Sequence, residues 1–585
     1  VTDIVVDLAG YERNDGLTHI VHTYSGGALR RLTSTTHPAT DFKVTKGMIA
    51  IACSFDIKDR ASRLPSSKWN KPMRRWTVSA TPTSAANIIR AFEDVKWTAD
   101  TDFMRLLDEY RSQTHAADYR VALDLPDHPS KKPSWGHQRQ AYEFISRLNA
   151  GGVFAAQGTG KSKIVVDILA NRTDIHHVLI IAKKKGIGVW PREFRRFSIR
   201  KFKMYRLEPP LTTEQRAATI TDTWDPKKDQ VYVVNYDVAW REPLATVLLS
   251  HKWDAVVCDE AQKIKSAGSN VSMFASKLGD RVPVRYATTG TPMHDKPIDV
   301  YGIYRFLDKG VFGTNKAKFE QKYVVKGGFG GFEILGYTNL EELSERMYSI
   351  AFRVTDEVLD LPKAHHIVLP YSLSPQESTI YKKMVKDFIA STEFGSTVAP
   401  NILTKMLRLQ QIASGFIKDD KGEEHDVGSS ELETLEEALE DFDPTYPVVV
   451  FCQFIHNIDR VKELAAKLGR RYGEISGRRA DLTKDATMPP NIDLMCVQIQ
   501  AGGDSIDLTR VNRVYYFDLC HSLGDYDQSW KRVHRPGQRH RTYFHYLVAE
   551  GTVKAQMYQA LIDKRDPIEY VHSYWKDHTT KLLGD

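Results

Sequence analysis

The sequence predicts an α/β protein made of two mostly parallel sheets in tandem, preceded by a small α+β unit. Three observations carry this. Val- and Ile-rich runs alternate with helical patterns from about residue 130 to 300, and again from about 446 to 560. Residues 1 to about 125 lack that rhythm. The chain is 585 residues long, more than one core usually serves, so three or four domains are expected.

The elements follow in order. "TDIVVDL", "GMIAIACSF" and "RRWTVSA" read as short strands, and "SAANIIRAFEDV" and "DFMRLLDEYRSQ" as helices. "LDLPDHPSKKPSW", rich in Pro and charge, reads as a linker. "GGVFAA" is a buried strand and "KSKIVVDILA" the helix after it. "HVLIIA", "QVYVVNYD", "DAVVCDE" and "VRYATTG" are further strands, with a helix beginning at "VWPREFRRF". Residues 310 to 360 break the pattern, and the Gly-rich "VKGGFGGFEILG" reads as a hairpin or a mobile insertion. "KMLRLQQIASGF" is a basic amphipathic helix, "KDDKGEEHDVGSS" an exposed polar stretch. In "SELETLEEALEDF", Leu432, Leu435 and Leu439 share one helical face, with Ser429 or Ser430 as cap. The second alternation holds "YPVVVFC", "NIDRVKELAAKLG", "RYGEISG", "IDLMCVQI", "RVYYFDL" and "RTYFHYLVAE". The expected domains are 1–125, 126–365 with an insertion at 310–350, a helical bridge at 366–445, and 446–585.

Composition narrows the class. Hydrophobic residues are 42% and charged residues 26%, as in a soluble globular chain. A formal net charge of +7 permits a polyanionic partner without requiring one. Five widely separated Cys offer no zinc half-site or redox spacing and fit a reduced compartment. No transmembrane-length apolar run or signal-peptide pattern is read, so a cytoplasmic location is expected, with the nucleus left open.

Residues Ala155 to Ser162 read A-x-x-G-x-G-K-S between a buried strand and a helix. Gly158, Thr159 and Gly160 let the backbone curl so that N–H groups face phosphate oxygens. Lys161 reaches the β and γ phosphates, and the Ser162 hydroxyl ligates Mg²⁺. "DAVVCDE" places Asp259 and Glu260 at the carboxyl end of a buried strand, where parallel sheets hold ligands. Asp259 is the expected Mg²⁺ carboxylate and Glu260 the base that orients water. Phosphoryl transfer also needs positive charge. "YDQSWKRVHRPGQRHR" supplies Arg532 and Arg535, spaced i,i+3 as on one helical face, with Gln528 as a tie to the sheet. The competing reading of this stretch is a solvated basic run touching nucleic acid.

The set resembles the Swi2/Snf2-like DNA-dependent ATPases of helicase superfamily 2. "AAQGTGKS", "DEAQ", "TTGTPMHD" (Thr288 to Asp295), "VVVFCQF", "IQAGGDSIDLT" (Ile499 to Thr509) and "YDQSWKRVHRPGQ" are similar to motifs I to VI in order and spacing. "LPKAHHIVLPYSLSPQESTIY" resembles the bridge between the lobes. The resemblance spans roughly residues 130 to 560. It implies two tandem RecA-like lobes, ATP and Mg²⁺ as cofactors, and duplex DNA as partner. "WGHQRQAYEF" resembles the segment in which a Gln recognises adenine, which points to Gln138. Gln262 stands where the family usually has His. Motif V usually reads A-G-G-x-G-x-N-L, and here Ser505 and Asp507 replace its third Gly and its Asn. The absence of chromatin-reading modules resembles compact bacterial, archaeal or phage members, or the annealing-helicase branch. "RRWTVSATP" weakly resembles the substrate-recognition element of that branch.

The expected polymer contacts read backbone rather than bases, so affinity should fall steeply with salt. Candidates in the first lobe are Lys183, Lys184 and Lys185, a run that alone reads equally as a solvated loop, and the segment after Asn235 and Tyr236. In the second they are Gly477, Arg478, Arg479, Gly502, Gly503 and Thr509, with Lys405 and Arg408 on the amphipathic helix. In the first domain, Lys71, Arg74 and Arg75 interleave with Trp69 and Trp76, as in a stacking platform or as a strand with Trp76 in its core. A monomeric duplex translocase is the first reading, a branched-DNA remodeler or annealing helicase the second, a strand-separating helicase the third. A non-hydrolysing ATP switch and an RNA helicase are the rivals from other classes.

Overall fold

The computed structural model describes residues 40–45, 47–120, 124–290, 292, 296–328, 330, 333–359, 361–393, 399–419, 422–440, 442–500, 506–565, 567 and 570–571. It divides into two compact units, Val1–Thr355 and Asp356–Asp585.

The first unit opens with β1 (Thr40–Thr45), β2 (Met48–Ala52), β3 (Lys68–Asn70), β4 (Arg75–Ser79) and β5 (Trp97–Ala99). They form one sheet in the order β3-β4-β2-β1-β5. Only the β1–β5 pair is parallel. Helices Pro82–Ala91 and Thr101–Ala116 pack with it around Phe42, Ile49, Ile51, Val78, Phe92 and Phe103. The strand expected at "TDIVVDL" lies outside the described residues.

This domain is fastened to the one after it. Thr83 Oγ1 donates to Asp308 Oδ2 at 2.7 Å, Asn87 Nδ2 to the Gly310 carbonyl at 3.1 Å, and Lys318 Nζ to the Ser62 carbonyl at 3.3 Å. A Cβ on Gly310 would sit 2.5 Å from Thr81 Oγ1, so glycine permits the close approach.

The Pro-rich stretch read as a linker is also fixed. Lys163 and Asp167, one turn apart on helix Lys161–Asn171, are buried and need polar partners. The stretch supplies them. Ser130 Oγ donates to Asp167 Oδ1 at 2.8 Å, His128 Nε2 lies 2.9 Å from Asp167 Oδ2, and Lys163 Nζ donates to Ser134 Oγ at 2.6 Å.

A seven-stranded sheet follows: β6 (Ala150–Ala155), β7 (His177–Ala182), β8 (Lys203–Leu207), β9 (Gln230–Asn235), β10 (Ala255–Asp259), β11 (Val284–Thr289) and β14 (Ala351–Val354). Its order is β14-β6-β11-β10-β7-β9-β8, and every pair is parallel. Strands β6, β7 and β9 are buried along their full length, which is why they read as unbroken apolar runs. Between β11 and β14 the rhythm breaks into short helices and one antiparallel hairpin, β12 (Val324–Gly327) with β13 (Glu333–Tyr337).

In the second unit, β15 (Ala364–Tyr371) precedes helices Pro375–Glu393 and Ala399–Ala413, the short pair β16 (Phe416–Lys418) and β17 (Glu424–Asp426), and helix Ser430–Glu440. Then come β18 (Val448–Cys452), β19 (Tyr472–Ile475), β20 (Leu494–Gln498), β21 (Arg513–Tyr516) and β22 (Thr542–Ala549). The second parallel sheet has the order β15-β22-β21-β18-β20-β19. Strand β15, in the segment read as a bridge, is therefore an edge strand of this sheet. The bridge helices are tied to the same body: Gln410 Nε2 donates to the Leu519 carbonyl at 2.6 Å, and buried Lys554 pairs with buried Glu431. Leu435 and Leu439 of the acidic helix are buried as its pattern requires. The architecture is two tandem RecA-like lobes behind a small α+β domain.

Candidate active site

Strand β6 ends at Ala155, and the chain turns through Gly158 (φ +86°) and Gly160 (φ +87°) into helix Lys161–Asn171. Both angles lie in the left-handed region that favours glycine. Lys161 Nζ donates to the carbonyls of Ala155 at 3.0 Å and Ala156 at 3.5 Å. Ser162, half-buried, is the second residue of the helix. Thr159 is buried, and its hydroxyl and N–H both close the turn on the Ala156 carbonyl, at 2.7 and 3.3 Å. Gln138 is buried against this loop. Its Oε1 accepts from the Trp135 N–H at 3.0 Å and its Nε2 donates to the Thr159 carbonyl at 3.0 Å. His137 Nε2 donates to the same carbonyl at 2.9 Å. Both ends of the Gln138 amide thus hold main chain, so reading adenine through it requires exchanging one of these bonds.

Asp259 is the last residue of β10, flanked by β7 and β11. Its Oδ1 accepts from Thr288 Oγ1 at 2.7 Å and its Oδ2 from Trp190 Nε1 at 3.0 Å. Tyr236 donates its hydroxyl to the Asp259 carbonyl at 2.7 Å, and complete burial pushes that phenol well above its ordinary range. Glu260 follows at φ +53°, ψ +56°, a left-handed conformation that costs a non-glycine residue about 1–3 kcal/mol. Gln262 bridges it to the next strand: its Nε2 donates to Glu260 Oε2 at 2.5 Å and its Oε1 accepts from Thr289 Oγ1 at 2.8 Å. Gly290 lies against the phosphate loop, its Cβ direction 3.8 Å from Lys161 Nζ. Three adjacent strands, β6, β11 and β10, thus deliver the loop, Thr288 with Thr289, and the Asp259–Glu260 pair to one carboxyl edge. Thr291 and Met293 to Asp295 lie outside the described residues.

This donor set fits Mg²⁺ and a nucleotide. Among the described residues no group of three His, Cys, Asp or Glu is placed to hold a metal by itself. A partly exposed carboxylate that accepts from the neutral donors Thr288 and Trp190 suits Mg²⁺, which is bound through one or two carboxylates together with phosphate and water.

In the second unit the i,i+3 argument for the two arginines is corrected. Helix Leu523–Trp530 ends before them, so they lie in turns rather than on a helical face. Arg532 is 1% exposed and its Nη2 lies 3.5 Å from the Ile499 carbonyl. Arg535 is half-buried and its Nη1 donates to the Ile506 carbonyl at 3.1 Å. These carbonyls bracket the segment that includes Gly502, Gly503 and Asp504, which lie outside the described residues. Gln538 ties this region to the turn before β21: its Nε2 donates to the Val511 carbonyl at 2.7 Å. Asp507 holds its own turn. Its Oδ1 accepts from the Thr509 N–H at 2.9 Å and from the Thr509 hydroxyl at 2.7 Å, capping its own turn.

The polymer candidates are scattered over both units. Lys183 is half-buried just past β7, and exposed Lys184 opens the turn Lys184–Gly186. Arg479 is half-exposed and paired with Asp481 at 2.6 Å, while Arg478 is held by Asp459 and Glu474. Lys405 is half-buried and Arg408 exposed on their helix, whose Met406 and Leu409 are core. In the first domain, Arg74 is exposed at the β3–β4 turn with φ +50°. Arg75 is half-buried, 3.7 Å from Asp41. Trp76 packs on the domain core, and Trp69, 49% exposed, meets it edge-on at 5.5 Å. The strand reading thus holds for Trp76, and Trp69 is the ring left open to a partner.

The signals missed in the sequence were Trp190, Thr288 and Gln538, which act on the site through other residues. No helix among the described residues is long and apolar enough to cross a membrane.

Residues 131–415 match the SNF2-related domain and residues 430–537 the helicase conserved C-terminal domain. An uncharacterized ATP-dependent helicase of Mycoplasma genitalium is 24% identical over 545 residues, covering 88% of this chain and 50% of that protein. A chromatin remodeling factor of Schizosaccharomyces pombe is 19% identical over 520 residues, covering 82% of this chain and 34% of that protein. The solved SWI2/SNF2 ATPase core of Sulfolobus solfataricus in complex with double-stranded DNA is 22% identical, covering 80% of this chain and 96% of that one, with a TM-score of 0.37. The chain spans half or less of the length of these two curated relatives. An SNF2-related domain followed in order by a helicase C-terminal domain, on two parallel sheets with the motif I and motif II residues at one strand edge, makes this chain the core of a Snf2-family ATPase/helicase of superfamily 2.

Proposed function

We propose that the chain is a DNA-dependent ATPase that couples hydrolysis to movement along duplex DNA. The observation that carries this is the convergence of the phosphate loop, Asp259, Glu260 and Thr288 on one edge of the first sheet, in a chain that continues into a helicase C-terminal domain. In this reading the loop N–H groups and Lys161 bind and orient phosphate oxygens. Asp259 and Ser162 would hold Mg²⁺, which when bound would supply charge neutralisation at the phosphoryl group. Glu260, oriented by Gln262, positions the attacking water. The half-buried Arg535 is the candidate to complete the site from the second lobe, and the buried Arg532 to shape the loop beside it. Lys183, Lys184, Arg479, Gly502, Gly503 and Thr509 are proposed phosphate contacts.

One observation favours a second reading, remodelling of branched DNA. Exposed Trp69 and Arg74 sit on a domain bonded to the motor rather than tethered to it, so that surface moves with the first lobe.

Steady-state ATP hydrolysis tests both, with no nucleic acid, single-stranded DNA, linear duplex, forked duplex and duplex RNA, beside Lys161→Ala. Stimulation by linear duplex, together with displacement of a third strand from a triplex, supports the translocase. Preference for the fork, lost in Trp69→Ala, supports the remodeler. Preference for RNA, or no turnover on any substrate, refutes the DNA motor.

A further inference from the structure

Among the side chains that meet Asp259, Thr288 and Trp190 come from different directions and differ in what lies behind them. Thr288 comes from the neighbouring strand β11, part of the rigid sheet. Trp190 comes from the segment that leaves β7 and carries Lys183 and Lys184. The indole is 1% exposed and stands in the first turn of helix Val189–Phe197, with Ile187 fully buried just before it. The turn between them also lies against the carboxylate: the Cβ direction of Gly186 is 3.8 Å from Asp259 Oδ2, the oxygen that accepts the indole N–H. From Ala182 to Trp190 the chain therefore runs past the metal carboxylate and back onto it within nine residues.

The physical consequence concerns geometry. A Mg²⁺ carboxylate must present its lone pairs within a narrow angular range, because Mg²⁺ demands near-octahedral coordination. Partners that orient a ligating group set how well it serves. Oδ1 is tied to an element that cannot shift without moving the sheet. Oδ2 is tied to a short, turn-rich segment that carries half-buried Lys183 and exposed Lys184. A phosphate backbone drawn onto Lys183 and Lys184 would pull on the turn that leads to Trp190.

We infer that Trp190 is a positioning residue: its indole N–H fixes the angle of the Asp259 carboxylate and transmits contact between a nucleic-acid backbone and the Lys183–Gly186 turn to the metal site. The inference rests on the DNA-dependent ATPase reading and adds the route by which the polymer reaches the Mg²⁺ carboxylate. It assigns the indole no contact with substrate.

The test uses the full chain and two readouts. In the first, the affinity for a fluorescent ADP analogue is measured with Mg²⁺ and with EDTA, in wild type and Trp190→Phe, which keeps a buried ring and removes the donor. The expected result is that the gain in affinity due to Mg²⁺ falls about tenfold in the variant while the affinity in EDTA stays within twofold. The factor by which linear duplex stimulates hydrolysis falls alongside it. In the second, the protein is labelled with 5-fluorotryptophan, and the Trp190 resonance is identified as the one that moves in Asp259→Asn. Adding linear duplex without nucleotide should shift that resonance.

The readouts separate the two claims. If duplex neither binds nor stimulates the wild type, the DNA motor and this inference both fall. If duplex stimulates the wild type but the Mg²⁺-dependent affinity of Trp190→Phe is unchanged, or the resonance ignores duplex, the motor stands and the inference is overturned. Should Trp190→Phe fail to fold, the fluorine resonance of the wild type decides alone.

Discussion

Gly160→Ala is the most informative single change in the phosphate loop. Gly160 sits at φ +87°, ψ +34°, and an L-residue there costs about 1–2 kcal/mol. The added Cβ would stand 2.2 Å from Gln138 Nε2, far inside contact distance. A side-chain tip usually swings away at little cost. Here it cannot, because Gln138 is 3% exposed and its amide holds the Trp135 N–H and the Thr159 carbonyl, each at 3.0 Å. Breaking both hydrogen bonds adds about 1 kcal/mol each. The total, about 3–4 kcal/mol, is the cost of reaching the phosphate-binding loop conformation. It predicts nucleotide binding weaker by roughly 100- to 1000-fold. The assay is titration of a fluorescent nucleotide into the wild type, Gly160→Ala, Gln138→Ala and the double variant. Removing Gln138 first removes the collision, so Gly160→Ala should then cost only the backbone part. The cycle should show a coupling of about 1–2 kcal/mol. Additive effects, or a Gly160→Ala variant that binds within threefold of wild type, would refute the reasoning.

Three other changes separate roles that look alike in the sequence. Arg532→Ala should destabilise the second unit by about 3 kcal/mol, read as a lowered melting transition, whereas Arg535→Ala should keep the melting transition and lose hydrolysis. The opposite pattern would exchange the two assignments. Asp507→Asn keeps the Oδ1 that caps Thr509 and should retain duplex-stimulated turnover within about twofold, while Asp507→Ala, which deletes two hydrogen bonds, should lose about 1–2 kcal/mol of stability. Equal effects from both variants would show that charge, not the cap, is what counts. Burial of the His521 ring lowers its pKa from 6.5 to about 4, against the opposing pull of Asp518. The fold therefore keeps the ring neutral while the unfolded chain takes up a proton below about pH 6.5. The contribution is fully present above that pH and is lost between about 6.5 and 4, reaching about 3 kcal/mol. Melting curves across that window should flatten in His521→Phe, and an unchanged slope would count against the assignment.

The strands that carry the site were legible because burial on both faces makes them apolar throughout: β6, β7, β9 and β10 all stood out. Edge strands did not. Strand β8 is half-exposed and β15 more so, and their mixed composition reads as loop or bridge. Strands β3 and β5, at the two edges of the first sheet, are three residues each, too short for any period to show. In the candidate site, Lys161 and Asp259 could be picked out in the sequence because phosphate and Mg²⁺ chemistry call for those residue types at strand ends. The role of Gln138 toward the loop was not, since its two partners are main-chain groups, which carry no residue identity. The Pro-rich stretch misled for a related reason. Its polarity suits solvent, yet Ser130, Ser134 and His128 are the partners that buried Asp167 and Lys163 require. A polar stretch beside a helix with a buried ion pair is as much a set of satisfied bonds as a linker.

The arginine stretch shows how spacing alone can suggest a wrong geometry. Spacing of three suggested one helical face, but the helix stops at Trp530, and Pro536 and Gly537 keep the chain in turns. Freed from a helix, the two guanidinium groups point to different carbonyls of the motif V stretch, that of Ile499 at its start and that of Ile506 further along. Leu508 N–H adds a third link, donating to the Arg532 carbonyl at 3.0 Å. Motifs V and VI are thus one hydrogen-bonded body in which side chains of one hold the main chain of the other. That arrangement explains why the departures in motif V need not end catalysis. The turn that an Asn would cap is capped equally by Asp507, and the ends of the segment are set by Arg532 and Arg535 rather than by its own third glycine. The two links differ in exposure: Arg535 is half-buried where it meets the Ile506 carbonyl, whereas Arg532 is enclosed beside that of Ile499.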